Sequence, residues 1–165
     1  MDNAPAGKPV SASRIKLAQM MQPQHANNLG NVHGGAIMRL VDEAGALACM
    51  RHAQHRVVTV AIDQMTFREP IRLGDLVILT AEVSYVGRTS MEAEVQVVSE
   101  NPITGERTHT NTAYLVYVAL DESGKPVPVP ELIPETQAQR ERMEAGHARQ
   151  QYRLAQNSRV PANDG

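Results

Sequence analysis

From Val57 onward the chain consists largely of four long segments in which apolar and polar residues mostly alternate. These segments, rich in β-branched residues, comprise residues 57–67, 76–87, 90–100 and 107–120. Such alternation is typical of strands that bury one face. Short connections containing Gly or Pro separate the segments, and they can join antiparallel strands, whereas parallel strands need long crossovers. The sequence therefore predicts an antiparallel sheet, to which residues 14–21 add a short strand.

A single helix that is apolar or small on nearly every face precedes the sheet. Its apolar residues recur at helical spacing, at Ile37, Leu40, Val41, Ala44, Leu47 and Ala48. Because this helix offers most of the apolar surface available to cover the sheet, we expect an α+β fold in which a curved antiparallel sheet wraps around it. A single layer of this kind leaves edges and one face exposed, which predicts self-association.

The length of 165 residues favours one domain with tails. Residues 1–12 are Pro, Gly, Ala and Ser without periodicity and predict a disordered tail. We place the folded domain at residues 13–134. Residues 135–165 form a C-terminal helix, to about residue 156, and a tail; this helix is polar on most faces, which favours a solvated helix packed by one edge.

Composition excludes several functional classes. The net charge is −2 without any block of like charges, which argues against nucleic acid or a membrane surface as a partner. A single cysteine, Cys49, rules out an intrachain disulfide framework and fits a reducing compartment. No apolar run approaches the roughly 20 residues that span a bilayer, and the N-terminus lacks the apolar core of a signal peptide. We therefore expect a soluble cytoplasmic protein.

The familiar catalytic motifs are missing. The sequence contains no G-x-S-x-G elbow, no P-loop and no G-x-G-x-x-G fingerprint. His52 and His55 lie three residues apart, but no carboxylate or cysteine pattern completes a zinc site. Cys49 lies among apolar residues, which favours inert packing. We therefore predict no metal and no cofactor, and a carboxylate that activates water is the chemistry that remains.

Two features of the helix could supply such chemistry. Gly34 and Gly35 open it, where backbone N–H groups lack intrahelical partners and can bind an oxyanion or a polarised carbonyl. Asp42 lies in its middle, where a charge costs several kcal/mol unless it is paired or neutralised. A position on a solvated stripe remains the alternative for Asp42. For Glu43 that alternative is favoured, since Arg39 can pair with it at i, i+4.

At this point the residues resemble a known family. The segments "AN-x-x-GNVHGG-x-x-M-x-x-VDEAG", "SYVGRTSMEAEVQVVSENPITGE", "TNTAYLVYVAL" and "PVPELIPET" are similar to the hotdog-fold acyl-CoA thioesterases, specifically the cytosolic acyl-CoA hydrolase branch. The resemblance covers about residues 13–150. It implies the hotdog fold, in which an antiparallel sheet wraps one long helix, and metal-independent hydrolysis of acyl-CoA to free acid and coenzyme A.

The resemblance also implies roles for individual residues. It places the catalytic acid at Asp42, the loop asparagine at Asn27 and the amide that polarises the thioester carbonyl at Gly34. His33 and Gly35 are neighbouring candidates for substrate binding. The stretch "VGRTSM" resembles the part of the family that lies near the nucleotide of coenzyme A, which makes Arg88 and Ser90 candidates, with a solvated β-turn as an equally good account.

The same resemblance predicts a homo-oligomer. Animal relatives divide the asparagine and the aspartate between two tandem hotdog domains, whereas this chain carries both in one copy, so identical chains should supply both. The dimer would be the catalytic unit, and a trimer of dimers is common in the family. Gly34 and Asp42 are about 12 Å apart along one helix, so one thioester and its water cannot contact both groups of a single chain.

The sequence alone leaves three questions open. His33 leaves room for a hotdog dehydratase acting on a 3-hydroxyacyl thioester. A non-catalytic acyl-CoA-binding regulator is a second alternative, although too few residues precede the first strand for a helix-turn-helix. Met65 and Phe67, with Ile62, are candidates for the walls of an acyl tunnel, with core packing as the alternative for each.

Overall fold

The computed structural model describes residues 5–63 and 65–158. Within these residues the chain forms seven strands and two α-helices. The strands are β1 (Lys8–Pro9), β2 (Ile15–Met20), β3 (Arg56–Ile62), β4 (Leu76–Val86), β5 (Ser90–Glu100), β6 (Arg107–Leu120) and β7 (Leu132–Ile133), and the helices are α1 (Gly34–Ala53) and α2 (Gln137–Asn157).

The main sheet has the strand order β2-β4-β5-β6-β3 and is antiparallel throughout. Register shifts interrupt β3 between Thr59 and Ala61 and β4 between Val83 and Tyr85. Such bulges bend strands and increase their twist, so the sheet curves around α1, which contacts β3, β4, β5 and β6. This confirms the predicted α+β architecture of one antiparallel sheet wrapped around one long helix.

The core lies between α1 and the concave face of the sheet. On the helix, Val41, Ala44 and Ala48 are fully buried against inward-facing valines, alanines and leucines of the strands. The predicted helix face is therefore confirmed except at Leu47, which is 38% exposed in the single chain. A buried helix surrounded by aliphatic side chains accounts for how a chain with 3% aromatic residues builds a core.

The predicted disordered tail is wrong for residues 8–12. β1 pairs in parallel with β7, and the side chain of Val10 is 3% exposed in the core. A short 3-10 helix, Val10–Ser13, follows, and the Ser13 hydroxyl accepts a hydrogen bond from the Val83 N–H. Val10, the backbone pairing, and hydrogen bonds from Lys8 to the His52 carbonyl and from Ser11 to Glu135 fix a segment whose composition alone indicates disorder. Residues 1–4 lie outside the described part.

The first predicted strand, residues 57–67, ends earlier than expected. β3 stops at Ile62, and the Asp63 N–H makes one further hydrogen bond to the Tyr114 carbonyl. Beyond that point the carbonyl of Thr66 accepts a hydrogen bond from the Asn111 side chain, so a side chain of β6 replaces the backbone partner that would continue the strand. Gln64 lies outside the described residues.

The predicted C-terminal helix is confirmed by α2, which begins at a Thr136 cap and packs on the outer face of the sheet. Its arginines do not all lie on a solvated face. Arg142 pairs with Glu82, and Arg149 and Arg153 pair with Glu92, a carboxylate that is fully buried. Neither α1 nor α2, as the structure describes them, is long and apolar enough to cross a membrane.

Candidate active site

The first turn of α1 presents a backbone N–H without a partner. His33 caps the helix, and its Nδ1 accepts a hydrogen bond from the Gly35 N–H at 2.9 Å. The Gly34 N–H precedes the first intrahelical hydrogen bond, and no described residue accepts a hydrogen bond from it. Since the helix dipole makes this end positive, Gly34 offers a donor for a developing oxyanion, while the Gly35 donor is already used.

Asn27 lies in the loop that leads to this turn. Its Oδ1 accepts hydrogen bonds from the N–H groups of Leu29 (2.9 Å) and Asn31 (3.2 Å), which closes the loop on itself. Gly30 adopts a φ of +78° within the loop, a conformation that favours glycine. Among the described residues, none accepts a hydrogen bond from the Asn27 Nδ2, so this side chain keeps two N–H donors.

Asn27 and Gly34 line one open pocket of about 440 Å³. Its walls include Ile37 and Ile71 of the core and the ring of Phe67. The ring lies over Gly34, where a Cβ built on the glycine would be 3.5 Å from the Phe67 Cζ. The structure therefore brings together the predicted loop asparagine, the predicted amide and one of the predicted acyl-site walls.

Asp42 lies further along α1 and is held by two hydroxyl groups. Its Oδ1 accepts hydrogen bonds from the Thr59 Oγ1 of β3 (2.8 Å) and from the Tyr117 hydroxyl of β6 (3.0 Å). Burial, and then the nearby Asp42 charge, raise the pKa of the Tyr117 phenol, so it remains a proton donor. Asp42 lies on a partly exposed face of α1, as in the solvated alternative, but it is half-buried and its Oδ1 is hydrogen-bonded rather than free.

A glycine makes this arrangement possible. Gly45 faces the Tyr117 ring, and a Cβ there would be 2.5 Å from the phenol oxygen. Without that Cβ, the hydroxyl also reaches the Asp42 backbone carbonyl at 2.9 Å. A glycine in the middle of a helix lowers helix propensity by about 1 kcal/mol relative to alanine, and here its absence of a side chain admits Tyr117.

Asp42 does not belong to the pocket of Asn27 and Gly34 in the same chain. Gly34, Met38 and Asp42 follow one another at i, i+4 and i+8, so they share one face of α1, and Met38 between them is 40% exposed. Glu43 lies beside this face and pairs with Arg39 at 3.0 Å on the surface, as predicted. The two halves of the predicted site thus lie on one exposed helix face about 12 Å apart.

Arg88 and Ser90 lie away from the pocket, at the turn between β4 and β5. The Arg88 carbonyl accepts a hydrogen bond from the Val129 N–H, and its side chain is exposed. Ser90 pairs with Val118, the neighbour of Tyr117 on β6, so the turn lies at the Asp42 end of the sheet. The structure does not place either residue next to Asn27 or Gly34 in one chain.

Packing and hydrogen bonding within the fold account for His52, His55 and Cys49. The buried His52 bonds the Pro130 carbonyl through Nε2 (2.8 Å), and His55 bonds the Ala53 carbonyl through Nδ1 (2.9 Å). Burial raises the pKa of the Cys49 thiol, and Glu92 raises it further, so the thiol stays protonated. Over residues 5–63 and 65–158, no three His, Cys, Asp or Glu side chains cluster as metal ligands would.

Sequence reasoning missed Thr59 and Tyr117, which come from strands and contact Asp42 only after folding. Two signals were available. Thr59 is the polar residue in "VVTVAI", at an inward position of an alternating strand. Gly45 interrupts an alanine-rich helix shortly after Asp42, as it would where a bulky side chain approaches closely.

Known proteins are similar to this chain in sequence. The family model of the thioesterase superfamily matches residues 29–106. An uncharacterized acyl-CoA thioester hydrolase of Bacillus subtilis is 38% identical over 125 residues, covering 76% of this chain and 73% of that protein. The cytosolic acyl coenzyme A thioester hydrolase of Rattus norvegicus is 34% identical over 148 residues. That match covers 88% of this chain but 39% of the rat protein, so the chain spans less than half of it.

Solved structures show the same similarity. The crystal structure of an apo-hexameric acyl-CoA thioesterase has a TM-score of 0.89 and 39% identity, covering 94% of this chain and 99% of that one. An acyl-CoA hydrolase from Staphylococcus aureus, in complex with butyryl coenzyme A, coenzyme A and coenzyme A disulfide, has a TM-score of 0.84 and 33% identity, covering 91% and 92%. Variants of that hydrolase, with alanine replacing an aspartate, an asparagine or a threonine, have TM-scores of 0.85, 0.86 and 0.83.

Proposed function

The chain belongs to the acyl-CoA thioester hydrolases of the thioesterase superfamily, and from this premise we propose that it hydrolyses acyl-CoA at a site shared between two subunits. The observation that carries the proposal is the position of Asp42. The carboxylate is held by Thr59 and Tyr117, yet it lies outside the pocket of Gly34 and Asn27 in its own chain. A second copy of the chain supplies the missing half of each site.

The chemistry follows from the donors and acceptors on each side. One subunit binds the thioester carbonyl oxygen at the Gly34 N–H and the Asn27 Nδ2, which stabilise the negative charge that develops there. Asp42 of the other subunit takes a proton from water as the water oxygen attacks the carbonyl carbon. The carbon–sulfur bond then breaks, and the thiolate of coenzyme A receives the proton from Asp42. The products are a carboxylic acid and free coenzyme A.

The exposed edge of the sheet supports the dimer. β3 is an edge strand whose outward side chains are apolar: Val58, Val60 and Ile62 are 44%, 54% and 43% exposed. The opposite edge, β2, exposes Met20 (52%) but also Lys16 and Gln19, and a charged side chain at an edge discourages pairing. An exposed apolar edge strand pairs readily with its own copy, and antiparallel pairing of β3 with β3 satisfies a twofold axis.

The spacing along α1 fits the same axis. Gly34 and Asp42 are each four residues from Met38, on the exposed face of the helix. When two copies of α1 pack antiparallel with their Met38 residues at the twofold axis, Gly34 of each chain comes opposite Asp42 of the other. The isologous contact therefore produces two identical sites per dimer.

The variants of the Staphylococcus aureus hydrolase lend support to these residues. In that protein the substituted asparagine precedes the substituted aspartate by fifteen residues, and the substituted threonine follows it by seventeen. Asn27, Asp42 and Thr59 have the same spacing. We accordingly include Thr59, which orients the Asp42 carboxylate, in the proposed site.

We also propose that the dimers assemble further, since structures of thioesterases similar to this chain, from Campylobacter jejuni and Yersinia pestis among others, are hexameric. Hydrolysis is proposed to need no metal, because the described carboxylates and histidines do not cluster as ligands. Turnover that is abolished by a chelator and restored by a divalent cation contradicts this part. Size-exclusion chromatography with light scattering measures the assembly.

The dehydratase alternative has less support. A dehydratase would need His33 as its base, but the His33 Nδ1 lone pair already accepts the Gly35 N–H at the helix cap, and in the neutral ring Nε2 then carries the proton. Release of thiol from saturated acyl-CoA identifies a hydrolase, whereas hydration of an enoyl thioester without thiol release identifies a dehydratase.

The test of the proposed site is the rate of thiol release from acyl-CoAs of increasing chain length. We expect Asp42→Asn and Asn27→Ala to lower kcat by about 10²- to 10⁴-fold with unchanged thermal unfolding. Glu43→Gln, a change at a neighbouring carboxylate that pairs with Arg39 on the surface, is the matched control and should stay within about threefold of wild type, since exposed ion pairs contribute little. An inactive Glu43→Gln beside an active Asp42→Asn contradicts the assignment.

A further inference from the structure

Phe67 is exposed for an apolar aromatic residue in a folded chain. Its side chain is 45% exposed, and its ring lies over Gly34 at one wall of the pocket. In that position the ring shields one side of the Gly34 N–H from water, which strengthens a hydrogen bond from this amide to a bound carbonyl. How well the ring shields the Gly34 N–H therefore depends on how firmly Phe67 is positioned by its neighbours.

An arginine of the C-terminal helix binds that part of the chain. The Nη1 of Arg153 donates to both carboxylate oxygens of Asp63, at 3.2 and 3.0 Å. Asp63 is the first residue after β3 and precedes Phe67 by four residues. The Arg153 and Asp63 side chains are 18% and 28% exposed, so this pair is less screened by solvent than a surface pair.

The second terminal nitrogen of the Arg153 guanidinium also makes a hydrogen bond. Its Nη2 donates to Glu92 at 3.1 Å, and this carboxylate is fully buried beneath α2. Glu92 also accepts two hydrogen bonds from Arg149, at 3.0 and 2.7 Å. Arg153 is therefore part of a buried network, and its position does not depend on Asp63 alone.

A second contact holds the same part of the chain from β6. The Asn111 side-chain amide donates to the Thr66 carbonyl, one residue before Phe67, and Asn111 is 5% exposed. Met65, the residue before Thr66, packs against the core. Side chains from α2 and β6 thus contact Asp63 and Thr66, two of the described residues before Phe67.

We propose that Arg153 is a positioning residue for hydrolysis: through Asp63 it sets the placement of the Phe67 ring over Gly34. The inference rests on the proposed role of Gly34 in binding the thioester carbonyl. It gives α2 a function in catalysis beyond covering the outer face of the sheet.

The competing account is that Arg153 only docks α2. The chain offers a matched control for this account, because Arg142 on the same helix makes an ion pair with Glu82 and hydrogen-bonds none of the described residues between Asp63 and Phe67. If docking is the whole role, any loss of kcat in Arg142→Met and in Arg153→Met should follow the loss of stability of each variant. Asp63→Asn removes the charge and one of the two acceptor oxygens of the proposed pair, and it leaves the hydrogen bonds to Glu92 intact.

The experiment is a double-mutant cycle between Arg153 and Phe67, read as kcat and KM for butyryl-CoA and lauroyl-CoA. We expect Arg153→Met and Asp63→Asn each to lower kcat about tenfold with a smaller change in KM, because misplacement near a reacting group acts on the transition state. Phe67→Ala should lower kcat at least as much. The Phe67→Ala, Arg153→Met double variant should be no slower than Phe67→Ala alone, since Arg153 acts through the ring. Arg142→Met should stay within about twofold of wild type.

Several results would overturn the proposal. One is a double variant whose loss is the product of the two single losses; another is a Phe67→Ala variant with wild-type kcat. A third is Asp63→Asn with full activity, which keeps the test valid if Arg153→Met fails to fold. Failure of the shared site is observed separately, as turnover that survives Asp42→Asn and Asn27→Ala, so the two failures are distinguishable.

Discussion

At the scale of single residues, the environment of Asp42 decides what this carboxylate can do. Two hydroxyl donors bind the same oxygen, Oδ1, from β3 and β6. The Oδ2 atom accepts no hydrogen bond from any residue that the structure describes, so it is the oxygen available to a water molecule. Holding one oxygen and leaving the other free fixes the direction in which the carboxylate takes a proton, which is the geometric requirement for a general base.

Removal of one hydroxyl donor tests this arrangement. Tyr117→Phe keeps the buried ring and deletes only the hydroxyl, so we expect kcat to fall about tenfold through looser orientation of Asp42, with KM nearly unchanged. Thr59→Val should act in the same direction. Tyr152→Phe is the control, since Tyr152 is 67% exposed on α2. Full kcat in both Tyr117→Phe and Thr59→Val would mean that neither hydroxyl orients the acid.

The sequence predicted the residues of the site that lie on α1 or in the loop before it. Asp42 and Gly34 are conspicuous because a charge and a glycine pair interrupt an apolar helix, and this signal is local. Thr59 and Tyr117 acquire their contacts with Asp42 through the meeting of distant segments, and Phe67, predicted only as a candidate wall, meets Gly34 in the same way. Periodicity places a residue on a face of a strand or helix, but it does not say which side chain of another element lies opposite.

At the scale of elements, α2 shows how a charged helix can be buried on one side. Its arginines alternate with acids and glutamines, a pattern that indicates solvent exposure when the helix is considered alone. Their partners, Glu82 and Glu92, occupy outward positions of β4 and β5, where an alternating strand also indicates exposure. Two surfaces that both look solvated cover each other, and neither pattern reveals the pairing.

The buried carboxylate under α2 should make Arg149 the most costly arginine of the helix to lose. Burial alone would lower the pKa of Arg149, but its hydrogen bonds to Glu92 raise it overall. Arg149→Met leaves a fully buried Glu92 with only Arg153 and the Ser84 hydroxyl as donors, and we expect a loss of about 2 kcal/mol in the free energy of unfolding. Arg142→Met should cost less than about 1 kcal/mol. Urea unfolding compares the two, and equal losses contradict the expectation.

The C-terminal end of α1 carries a prediction about pH. Burial lowers the pKa of His52, the hydrogen bond to Pro130 partly offsets this, and Lys8 lowers it further. As the pH falls, His52 is therefore protonated in the unfolded chain, where a histidine pKa is about 6.5, before it is protonated in the folded chain. Stability from this group is present above about pH 6.5 and is lost below it.

The measurement compares urea midpoints at about pH 7.5 and about pH 5.0, on either side of the histidine pKa. His52→Gln keeps an N–H donor for Pro130 and removes the titration, so its loss of stability between the two pH values should be smaller than that of wild type. His55, which is not fully buried, provides the control: His55→Gln should retain the wild-type loss. An equal loss in wild type and His52→Gln would show that His52 does not contribute.

At the scale of the whole molecule, a single chain leaves apolar side chains exposed to solvent. The apolar side chains of β3 and the Met38 face of α1 are exposed together on the single chain. The sequence predicts self-association, because one helix cannot cover both faces and both edges of a sheet. It does not predict the position of the proposed interface, since the order β2-β4-β5-β6-β3, which puts an apolar strand at one edge, emerges only in the fold.

The proposed sharing of the site between two chains can be tested only in the assembled dimer. A dimer of Asn27→Ala chains has two defective sites, and so does a dimer of Asp42→Asn chains. In a mixed dimer one site combines both defects, while the other combines an intact Asn27 from one chain with an intact Asp42 from its partner. Random exchange of equal amounts makes about half of the dimers mixed, so the expected activity is about a quarter of wild type for independent sites.

The two inactive variants would be co-expressed with different affinity tags, and mixed dimers purified through both tags would be assayed for thiol release. Mixed dimers purified as free dimers should have about half of the wild-type activity, because one of their two sites is intact, whereas larger assemblies of randomly paired dimers should stay near a quarter. Dimers that carry both defects in the same chain, beside a wild-type chain, provide the reverse control. If Asn27 and Asp42 face each other across the interface, each site of this control contains one defect and both are inactive. If they act within one chain, the wild-type chain of this control keeps one active site, and the mixed dimer of the two single variants is inactive. The two arrangements therefore predict opposite results for the two preparations.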